Sequence, residues 1–269
     1  MLRFARNDDG TRRRQGAWRP AINWWGVLSV VVVLAAWQGI ARHFNTVLFP
    51  GPYETAIAMW DNAGAIFGEI GNTLRRAFTA FGLSLAIMVP FGIACGRIRP
   101  LGLIVDPILE FLVTIPPPAV IPIVMLFAGV GDVAKIAVIT YGLVPNLLIN
   151  TIETVRRAPP MMERVGRSLR FSRIEVMTLI DLPAAMPGIV TGMRLSVTTS
   201  LLVTITSEML LSTNGIGAYV QRAQQSFQVS AGLAGIVAIA ITGMLVNLGL
   251  RQIEERLLFW HYRTSAAEE

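Results

Sequence analysis

The most chemically distinctive part of the sequence is a basic segment that lies between two apolar regions. Its six arginines are Arg156, Arg157, Arg164, Arg167, Arg170 and Arg173. Guanidinium groups bind phosphates and carboxylates in a fixed fork geometry, and clusters of them are attracted to anionic lipid. Three interpretations are open: a topology signal that keeps the segment in the cytoplasm, a contact with lipid, or a docking site for a soluble partner.

Other reactive residue types are scarce. Cys95 is the only cysteine, and the two histidines, His43 and His261, lie far apart in the sequence. This inventory excludes an internal disulfide, a His-based catalytic triad and a zinc site built from His and Cys. No segment matches the phosphate-binding pattern G-x-x-x-x-G-K-[ST]. We therefore expect no catalytic residue, no metal and no cofactor on this chain.

The composition indicates a membrane protein rather than a soluble domain. Hydrophobic residues make up 53% of the 269 residues and charged residues 15%, whereas a typical soluble domain has about 25% charged residues. The formal net charge is +6, but the arginines lie between apolar runs, which favours membrane topology over a nucleic-acid partner. A spanning helix requires about 20 apolar residues. Six candidates lie at about 23–43, 74–96, 105–129, 133–152, 184–211 and 228–250.

These runs predict an all-α membrane protein with about six transmembrane helices between residues 23 and 250. Arginines are concentrated in the N-terminal tail 1–22, the loop 153–183 and the C-terminal tail 251–269, and the alternate loops contain few of them. The positive-inside rule then places both termini and the large loop of a multi-pass membrane protein in the cytoplasm. Arg75 and Arg76 lie on the outer side of this arrangement and are exceptions to it.

Charged residues inside a span are costly and therefore mark positions of interest. Arg194 and Glu208 both lie in the fifth span, about 21 Å apart along an α-helix, which is too far for them to pair with each other. Thr204 and Ser207 lie close to Glu208 in the sequence. These polar residues predict either the lining of a pathway or polar contacts that hold helices together.

The third span is interrupted by three consecutive prolines, Pro116, Pro117 and Pro118. Proline removes a backbone donor and bends or breaks a helix, and a membrane tolerates this only where neighbouring protein satisfies the freed groups. The interruption predicts either an ordinary kinked helix or a buried segment that lines a pathway.

Several segments, in the same order, resemble one family of transport proteins. They are LFPGPYE, NTLRRAFTAFGLSLAIMVPFGIACGR, DPILEFLVTIPPPAVIPIVMLFAGVGDVAKI, LINTIETVRRAPPMMERVGRSLRFSR, IDLPAAMPGIVTGMRLSV and SEMLLSTNGIGAYV. The family comprises the permease subunits of binding-protein-dependent ABC importers, and the sulfonate, taurine and nitrate branch is the most similar. The resemblance covers about residues 48–250. It implies the type I importer architecture, in which the six spans are related to a five-helix core, and a multi-pass location in the bacterial plasma (inner) membrane.

The family's cytoplasmic loop carries Glu-Ala-Ala, three residues, Gly, nine residues and then Ile-x-Leu-Pro. Ile180, Leu182 and Pro183 match the end of this pattern. The resemblance implies that residues 160–175 form a coupling element that contacts the ATPase subunit. The coupling residues are then Glu163, Arg164, Val165, Gly166, Arg167, Ser168, Leu169, Arg170, Ser172 and Arg173.

The start of the loop departs from the family pattern. Arg164, Val165 and Gly166 stand at the Glu-Ala-Ala positions, Glu163 lies one place early, and Arg170 stands at the position of the glycine. A glycine between two short helices adopts positive φ freely, whereas arginine does so at a cost of about 1 kcal/mol. The added cations also change the charge of the surface that would contact an ATPase.

The resemblance implies a function and a set of partners. The chain would be the membrane-spanning permease subunit of an ATP-driven importer for a small anionic solute, such as a sulfonate, taurine, nitrate or a related organic acid. Its partners would be two copies of a cytoplasmic ABC ATPase that carry ATP and Mg, a second permease chain (identical or paralogous), an external substrate-binding protein and membrane lipids. The alternative is a stand-alone secondary transporter, whose two halves would have matching broken spans.

Overall fold

The computed structural model describes residues 24–44, 46–157, 161, 164, 166, 168–211 and 213–257, without the side chains of Arg173 and Leu257. Within these ranges the chain is helical and contains no strand. The helices are α1 (Trp24–Phe44), α2 (Pro52–Asp61), α3 (Ala63–Arg97), α4 (Arg99–Thr114), α5 (Pro117–Ala128), α6 (Asp132–Arg157), α7 (Leu182–Leu211), α8 (Ile216–Gln225) and α9 (Val229–Leu257). A single turn, Arg173–Glu175, and a π-helical segment, Val176–Asp181, lead into α7.

The described helices confirm the all-α membrane fold. Five of them are long and apolar enough to cross a bilayer, namely α1, α3, α6, α7 with its π-helical extension, and α9. Helices satisfy their backbone hydrogen bonds internally, which the hydrocarbon core of a membrane requires. The pair α4 and α5 is also apolar enough, but it bends by 100° at a short break, and it gives a sixth span if the two helices cross together.

Helices α3, α6 and α7 form the centre of the described structure. Buried apolar side chains join them, including Phe81 of α3, Leu143 of α6 and Val197 of α7. Small residues allow the helices to approach closely, since a Cβ added to Gly92 of α3 would lie only 2.9 Å from the side chain of Thr151 in α6. Close van der Waals packing of this kind is a main source of attraction between helices in lipid.

The proline run at 116–118 interrupts the chain between α4 and α5, as the sequence predicts. The first of the three prolines precedes α5, and the other two lie in its first turn, where a missing N–H costs no hydrogen bond. The hydroxyl of Tyr141 lies 3.1 Å from the carbonyl oxygen of Leu112 and 3.3 Å from that of Ile115. A neighbouring helix therefore supplies one hydroxyl donor that the carbonyl groups next to the break share.

Several helices extend beyond the limits that hydropathy indicates. Helix α6 continues to Arg157, past the expected end of its span at residue 152, and the next span begins at Val176. The ends of the two long helices therefore lie within the expected loop 153–183. Helix α9 continues to Leu257, into the expected tail. A helix does not stop where its apolar run stops, because polar turns satisfy their own backbone groups outside the membrane as well.

Helix α1 lies at the edge of the described structure. Ala41 is its only buried residue, and its valines are exposed on the surface that would face lipid. It is joined to α2 by one polar contact, in which the N–H of Tyr53 donates to Oε1 of Gln38 at 3.1 Å. The helices that position the candidate site are therefore α3, α6, α7, α8 and α9.

Candidate coupling segment and buried ion-pair networks

The cytoplasmic connection between α6 and α7 contains the predicted coupling residues. Glu163, Val165 and Arg167 lie outside the described residues, as does the side chain of Arg173. Arg164 and Ser168 lie one helical turn apart, and the hydroxyl of Ser168 donates to the carbonyl oxygen of Arg164 at 2.9 Å. The side chains of Arg164, Ser168 and Leu169 are exposed. The described part of the connection therefore presents a basic surface to solvent.

A left-handed residue ends this first helical stretch. Arg170 has a φ of 59°, and the N–H of Phe171 donates to the carbonyl oxygen of Gly166 at 3.1 Å. This bond, which spans five residues, is the hydrogen bond of a Schellman motif, in which glycine usually occupies the left-handed position. Arg170 stands at the position of the family's glycine, so the backbone there has the conformation that glycine accepts most readily.

The second helical stretch begins with a capping box. The N–H of Ser172 donates to Oε2 of Glu175 at 2.7 Å, and the N–H of Glu175 donates to the hydroxyl oxygen of Ser172 at 3.2 Å. These reciprocal bonds satisfy two backbone donors that would otherwise be free at the helix start. The hydrogen bond from the Ser172 backbone N–H is the main reason why the pKa of Glu175 is below its usual value, and a hydrogen bond from the Ser172 side chain contributes less. The connection is therefore fixed on both sides of Arg170.

A buried ion pair attaches the end of this connection to α3. Nε of Arg97, the last residue of α3, donates to Oδ2 of Asp181 at 2.7 Å, and a second guanidinium nitrogen donates to Oδ1. The side chain of Asp181 is completely buried. A bidentate pair of this kind fixes both the distance and the orientation of its partners. The segment that precedes α7 is therefore attached directly to the end of α3.

Of the three residues that match the family's post-loop pattern, Ile180 lies in the π-helical segment, and Leu182 and Pro183 are the first two residues of α7. A Cβ added to Gly166 would meet Cδ1 of Ile180 at 2.6 Å, so the two halves of the connection are in close contact there. Leu182 packs against a cluster that includes Val155 of α6. Pro183 is exposed and lies in the first turn of α7, a position that proline favours.

A second ion-pair network lies at the opposite end of the same helices. The side chain of Arg76 in α3 is 1% exposed and that of Glu208 in α7 is completely buried. Guanidinium nitrogens of Arg76 lie 2.6 Å from Oε1 of Glu208, 2.9 Å from Oδ1 of Asp132 and 2.5 Å from Oδ1 of Asn214. A buried charge is destabilising by several kcal/mol unless it is paired, so these partners are essential to each other. One guanidinium thus joins α3, α6, α7 and the turn after α7.

Carboxylates of α3 and α7 also hold the start of α8. Oε2 of Glu208 accepts from the hydroxyl of Thr73 at 2.7 Å and from the N–H of Gly217 at 3.2 Å. The N–H of Gly215 donates to Oε2 of Glu69 at 2.5 Å. The first N–H groups of a helix have no partner within the helix and carry partial positive charge, so a carboxylate binds them favourably.

The turn that precedes α8 requires glycine. Gly215 has a φ of 104°, and a Cβ at that position would collide with the carboxylate of Glu208. Arg222 of α8 makes a further link, because its guanidinium lies 2.8 Å from Oε1 of Glu69. Helix α8 is therefore attached to α3 at its start and along its length, and to α7 at its start.

The structure separates the predicted intramembrane polar residues into two groups. Thr204, Ser207 and Glu208 are completely buried. The hydroxyls of Thr204 and Ser207 donate to carbonyl oxygens one turn earlier on α7, at 2.6 and 2.8 Å. These two bonds lie within α7, whereas Glu208 makes its hydrogen bonds with Arg76 and Thr73 of α3. Arg194, in contrast, has a 55% exposed side chain that lies 3.7 Å from the carboxylate of Glu254 in α9.

The sequence patterns did not identify the partners in either ion-pair network. Arg76 was notable only as an exception to the positive-inside rule, and its buried contacts with Glu208 and Asp132 explain why an arginine is kept there. An arginine inside an apolar span, together with a glutamate in another span, is a signal for such a pair. The pairing of Arg97 with Asp181 gave no comparable signal, because neither residue lies deep inside an apolar run.

The charged groups at these sites connect helices to one another. Among the described residues, no group of three or more His, Cys, Asp or Glu side chains is placed to hold a metal ion. The charged groups instead bind one another, at one end around Arg76 and at the other around Asp181. These ion pairs hold the helices together at both ends, and one of them lies beside the exposed basic segment.

Comparison with known families identifies the class of this protein. Residues 88–258 match the family described as the binding-protein-dependent transport system inner membrane component. The chain belongs to this family. It is therefore a multi-pass permease subunit of the inner membrane rather than an enzyme, and its class implies an ATPase and a substrate-binding protein as partners.

Curated relatives match nearly the whole chain. The putative aliphatic sulfonates transport permease protein SsuC of Bacillus subtilis (strain 168) is 31% identical, over 94% of this chain and 93% of its own length. The taurine transport system permease protein TauC of Escherichia coli (strain K12) is 28% identical, over 92% and 94%. The bicarbonate transport system permease protein CmpB of Synechococcus elongatus is 33% identical, over 68% and 66%.

Solved structures show the same fold. A chain of the MetNI methionine ABC transporter in an inward-facing conformation superposes with a TM-score of 0.65 at 17% identity, and the match covers 73% of this chain and 98% of that one. A chain of an amino acid ABC transporter crystallised with histidines has a TM-score of 0.57 at 14% identity, covering 77% and 97%. The fold is thus that of a type I ABC importer permease.

Proposed function

We propose that this chain forms the translocation pathway of an ATP-driven importer for a small anionic solute. The observation that carries the proposal is the similarity, over 94% and 92% of the chain, to permeases named for aliphatic sulfonates and for taurine. Both of those solutes carry a sulfonate group, and the more partial match to a bicarbonate permease adds another small anion. The solute is then a sulfonate, taurine, nitrate or a related organic acid.

The segment at 160–175 is the proposed contact with the ATPase. It is supported by the exposed, basic side chains of Arg164 and Arg170 and by the way the segment is attached. It continues into α7 through helical structure, and the Arg97–Asp181 pair joins the same region to α3. A displacement by an ATPase would therefore move both helices. A free-energy difference of a few kcal/mol between the inward-facing and outward-facing conformations is sufficient to shift their populations.

The proposed assembly contains two ATPase chains, which carry ATP and Mg, a second permease chain (identical or paralogous) and an external substrate-binding protein. The second permease chain is supported by the shape of the single chain. A cavity of about 430 Å³ opens beside α7 and α9, and its walls are mostly apolar, with Thr198 and Asn247 among the polar residues. Such an open groove becomes a closed pathway only when another surface covers it.

Co-purification tests this proposal most simply. The chain is expressed with a tag from its own operon, extracted in mild detergent, and the partners and their ratio are determined by native mass spectrometry. We expect two permease chains with two chains of an ATPase whose sequence contains the phosphate-binding loop that this chain lacks. An unrelated tagged membrane protein, extracted in the same way, is the control for non-specific capture.

A folded chain that purifies without any ATPase would contradict the proposal. In that case the stand-alone secondary transporter becomes the better account. Its test is uptake into vesicles driven by a proton or sodium gradient in the absence of ATP.

A further inference from the structure

Three adjoining cavities run along the contact between α7 and α9. The first, of about 430 Å³, is lined mainly by apolar side chains and includes Thr198 and Asn247. A smaller cavity lies beside Leu250, and a charged cavity of about 490 Å³ lies next to that one. Leu250 borders the first two cavities, and Arg194 and Glu254 border the last two. We call this row of three cavities the α7–α9 groove.

Arg194 in this groove differs from Arg76, the buried arginine of α3, both in its exposure and in the distance to its carboxylate partner. Arg76 is 1% exposed and has carboxylate oxygens at 2.6 and 2.9 Å. Arg194 is 55% exposed, and its ion-pair partner among the described residues, Glu254, lies at 3.7 Å, beyond hydrogen-bonding distance. A guanidinium has five N–H donors. Those of Arg194 are therefore accessible to a further acceptor.

We propose that Arg194 forms an anion-binding site in the α7–α9 groove, which takes the sulfonate or carboxylate group of a small solute and in which Glu254 is the counter-ion that the solute displaces. This inference rests on the importer function proposed above, and it adds the residue that contacts the solute. The apolar part of the groove beyond Thr198 accommodates the remainder of the solute.

The geometry favours such a displacement. The Arg194–Glu254 contact is long, so little hydrogen-bond energy is lost when an anion takes the place of Glu254. A sulfonate or carboxylate group accepts two parallel N–H bonds from one guanidinium, which makes the pairing both strong and oriented. Apolar walls on one side of the groove strengthen the attraction relative to open water. Glu254 keeps the site neutral when no anion is bound.

Thiol labelling tests the site without knowledge of the natural solute. In the full-length chain, Cys95→Ala removes the only native cysteine, and Thr198→Cys places a single thiol one helical turn from Arg194, within the groove. In membrane vesicles, the thiolate attacks a methanethiosulfonate that carries either a sulfonate or a trimethylammonium group. A disulfide forms to the reagent and methanesulfinate leaves. The quantity measured is the ratio of the anionic to the cationic rate constant.

Arg194→Gln should lower this ratio by about tenfold, because loss of a nearby positive charge slows the anionic reagent and speeds the cationic one. Arg157→Gln is the matched control. Arg157 lies outside the groove, is 80% exposed and pairs with Glu153 of its own helix at 2.9 Å, so the ratio should change by less than about twofold. Ethanesulfonate, compared with chloride at equal concentration, should slow both reagents when Arg194 is present and not in Arg194→Gln.

An unchanged ratio in Arg194→Gln would overturn the proposal. A changed ratio without protection by ethanesulfonate would overturn it as well, since it would indicate a surface charge rather than a binding site. Arg194→Lys is a second variant for the case that Arg194→Gln does not fold. It keeps the charge, so the ratio should be unchanged, but the protection by ethanesulfonate should be weaker. None of these labelling measurements needs ATP or a partner chain. A negative result for the anion site is therefore distinguishable from a negative result for the importer function, which co-purification tests.

Discussion

Arg170 has a left-handed backbone conformation in the middle of the exposed basic segment. Its φ of 59° places it where an L side chain crowds the backbone. We expect Arg170→Gly to stabilise the segment by about 1 kcal/mol, because glycine adopts this conformation without that crowding. The stabilisation should appear as about fivefold slower hydrogen exchange at the Phe171 amide, which donates to the carbonyl of Gly166.

Arg164→Gly is the matched control for this prediction. Arg164 lies in the helical stretch before the left-handed residue, where glycine is less favourable than other residues by up to about 1 kcal/mol. The same amide should therefore exchange faster in the control. Equal exchange in the two variants would show that the backbone at Arg170 carries no strain.

The Arg76–Glu208 pair is the most deeply buried ion pair among the described residues. Glu208→Gln leaves Arg76 without its closest partner charge, and we expect it to lower the free energy of unfolding by about 3–5 kcal/mol. Denaturant unfolding of the purified subunit in detergent measures this. Glu255→Gln, which breaks an exposed pair with Arg251, should cost less than about 1 kcal/mol. Similar losses in both variants would contradict the structural role of Glu208.

The contact made by Glu208 could not be derived from its position in the sequence. A glutamate inside an apolar span indicates that a partner exists, since an unpaired charge there is costly. Which arginine it meets depends on how α3 and α7 pack, and that packing is set by many apolar contacts, including those of Phe81 and Val197. The left-handed conformation of Arg170, in contrast, could be expected from the sequence. The family pattern has a glycine at that position, which indicates a need for positive φ.

At the scale of the helices, the Arg97–Asp181 pair is the link between the basic segment and α3. We expect Asp181→Asn to leave the ATPase bound to the permease while abolishing the stimulation of ATP hydrolysis by the binding protein. The reason is that the amide is close in shape to the carboxylate but no longer forms the bidentate, charge-assisted pair that joins the segment to α3. The measurement is the ATPase rate of the reconstituted complex with and without the binding protein.

Arg157→Gln is the control for this experiment. Arg157 also lies at the cytoplasmic end of a spanning helix, but its pair with Glu153 is within α6 and its side chain is 80% exposed. Stimulation should therefore be retained. Retention of full stimulation in Asp181→Asn would show that α7 alone receives the movement.

The sequence predicts the number of spanning helices more accurately than it predicts where each helix begins and ends. Runs of apolar residues indicate the spans directly, and the proline run indicates the break between α4 and α5. The 100° bend at that break was not predictable, because the direction of the chain after Pro116 depends on what α5 packs against. Hydropathy also missed the polar turns that extend α6 to Arg157 and α9 to Leu257.

At the scale of the whole molecule, the helices are fixed to one another at two levels. The network around Arg76 joins α3, α6, α7 and α8 at the outer surface, and the Arg97–Asp181 pair joins α3 to the start of α7 at the cytoplasmic surface. The α7–α9 groove runs between these two levels. We therefore expect a push on the basic segment to tilt α3 and α7 together, with the outer network as the fixed end.

The most direct measurement for this account is the amount of ATPase that the tagged chain retains when the basic surface is reversed. Arg164→Glu combined with Arg170→Glu changes the charge of the exposed segment by four units and leaves the buried pairs intact. Arg251→Glu combined with Arg256→Glu makes the same change on exposed residues at the end of α9. We predict that the first variant loses most of its bound ATPase and that the second retains it. Both variants should remain folded. Equal retention of the ATPase by the two variants would contradict the assignment of this segment as the coupling surface.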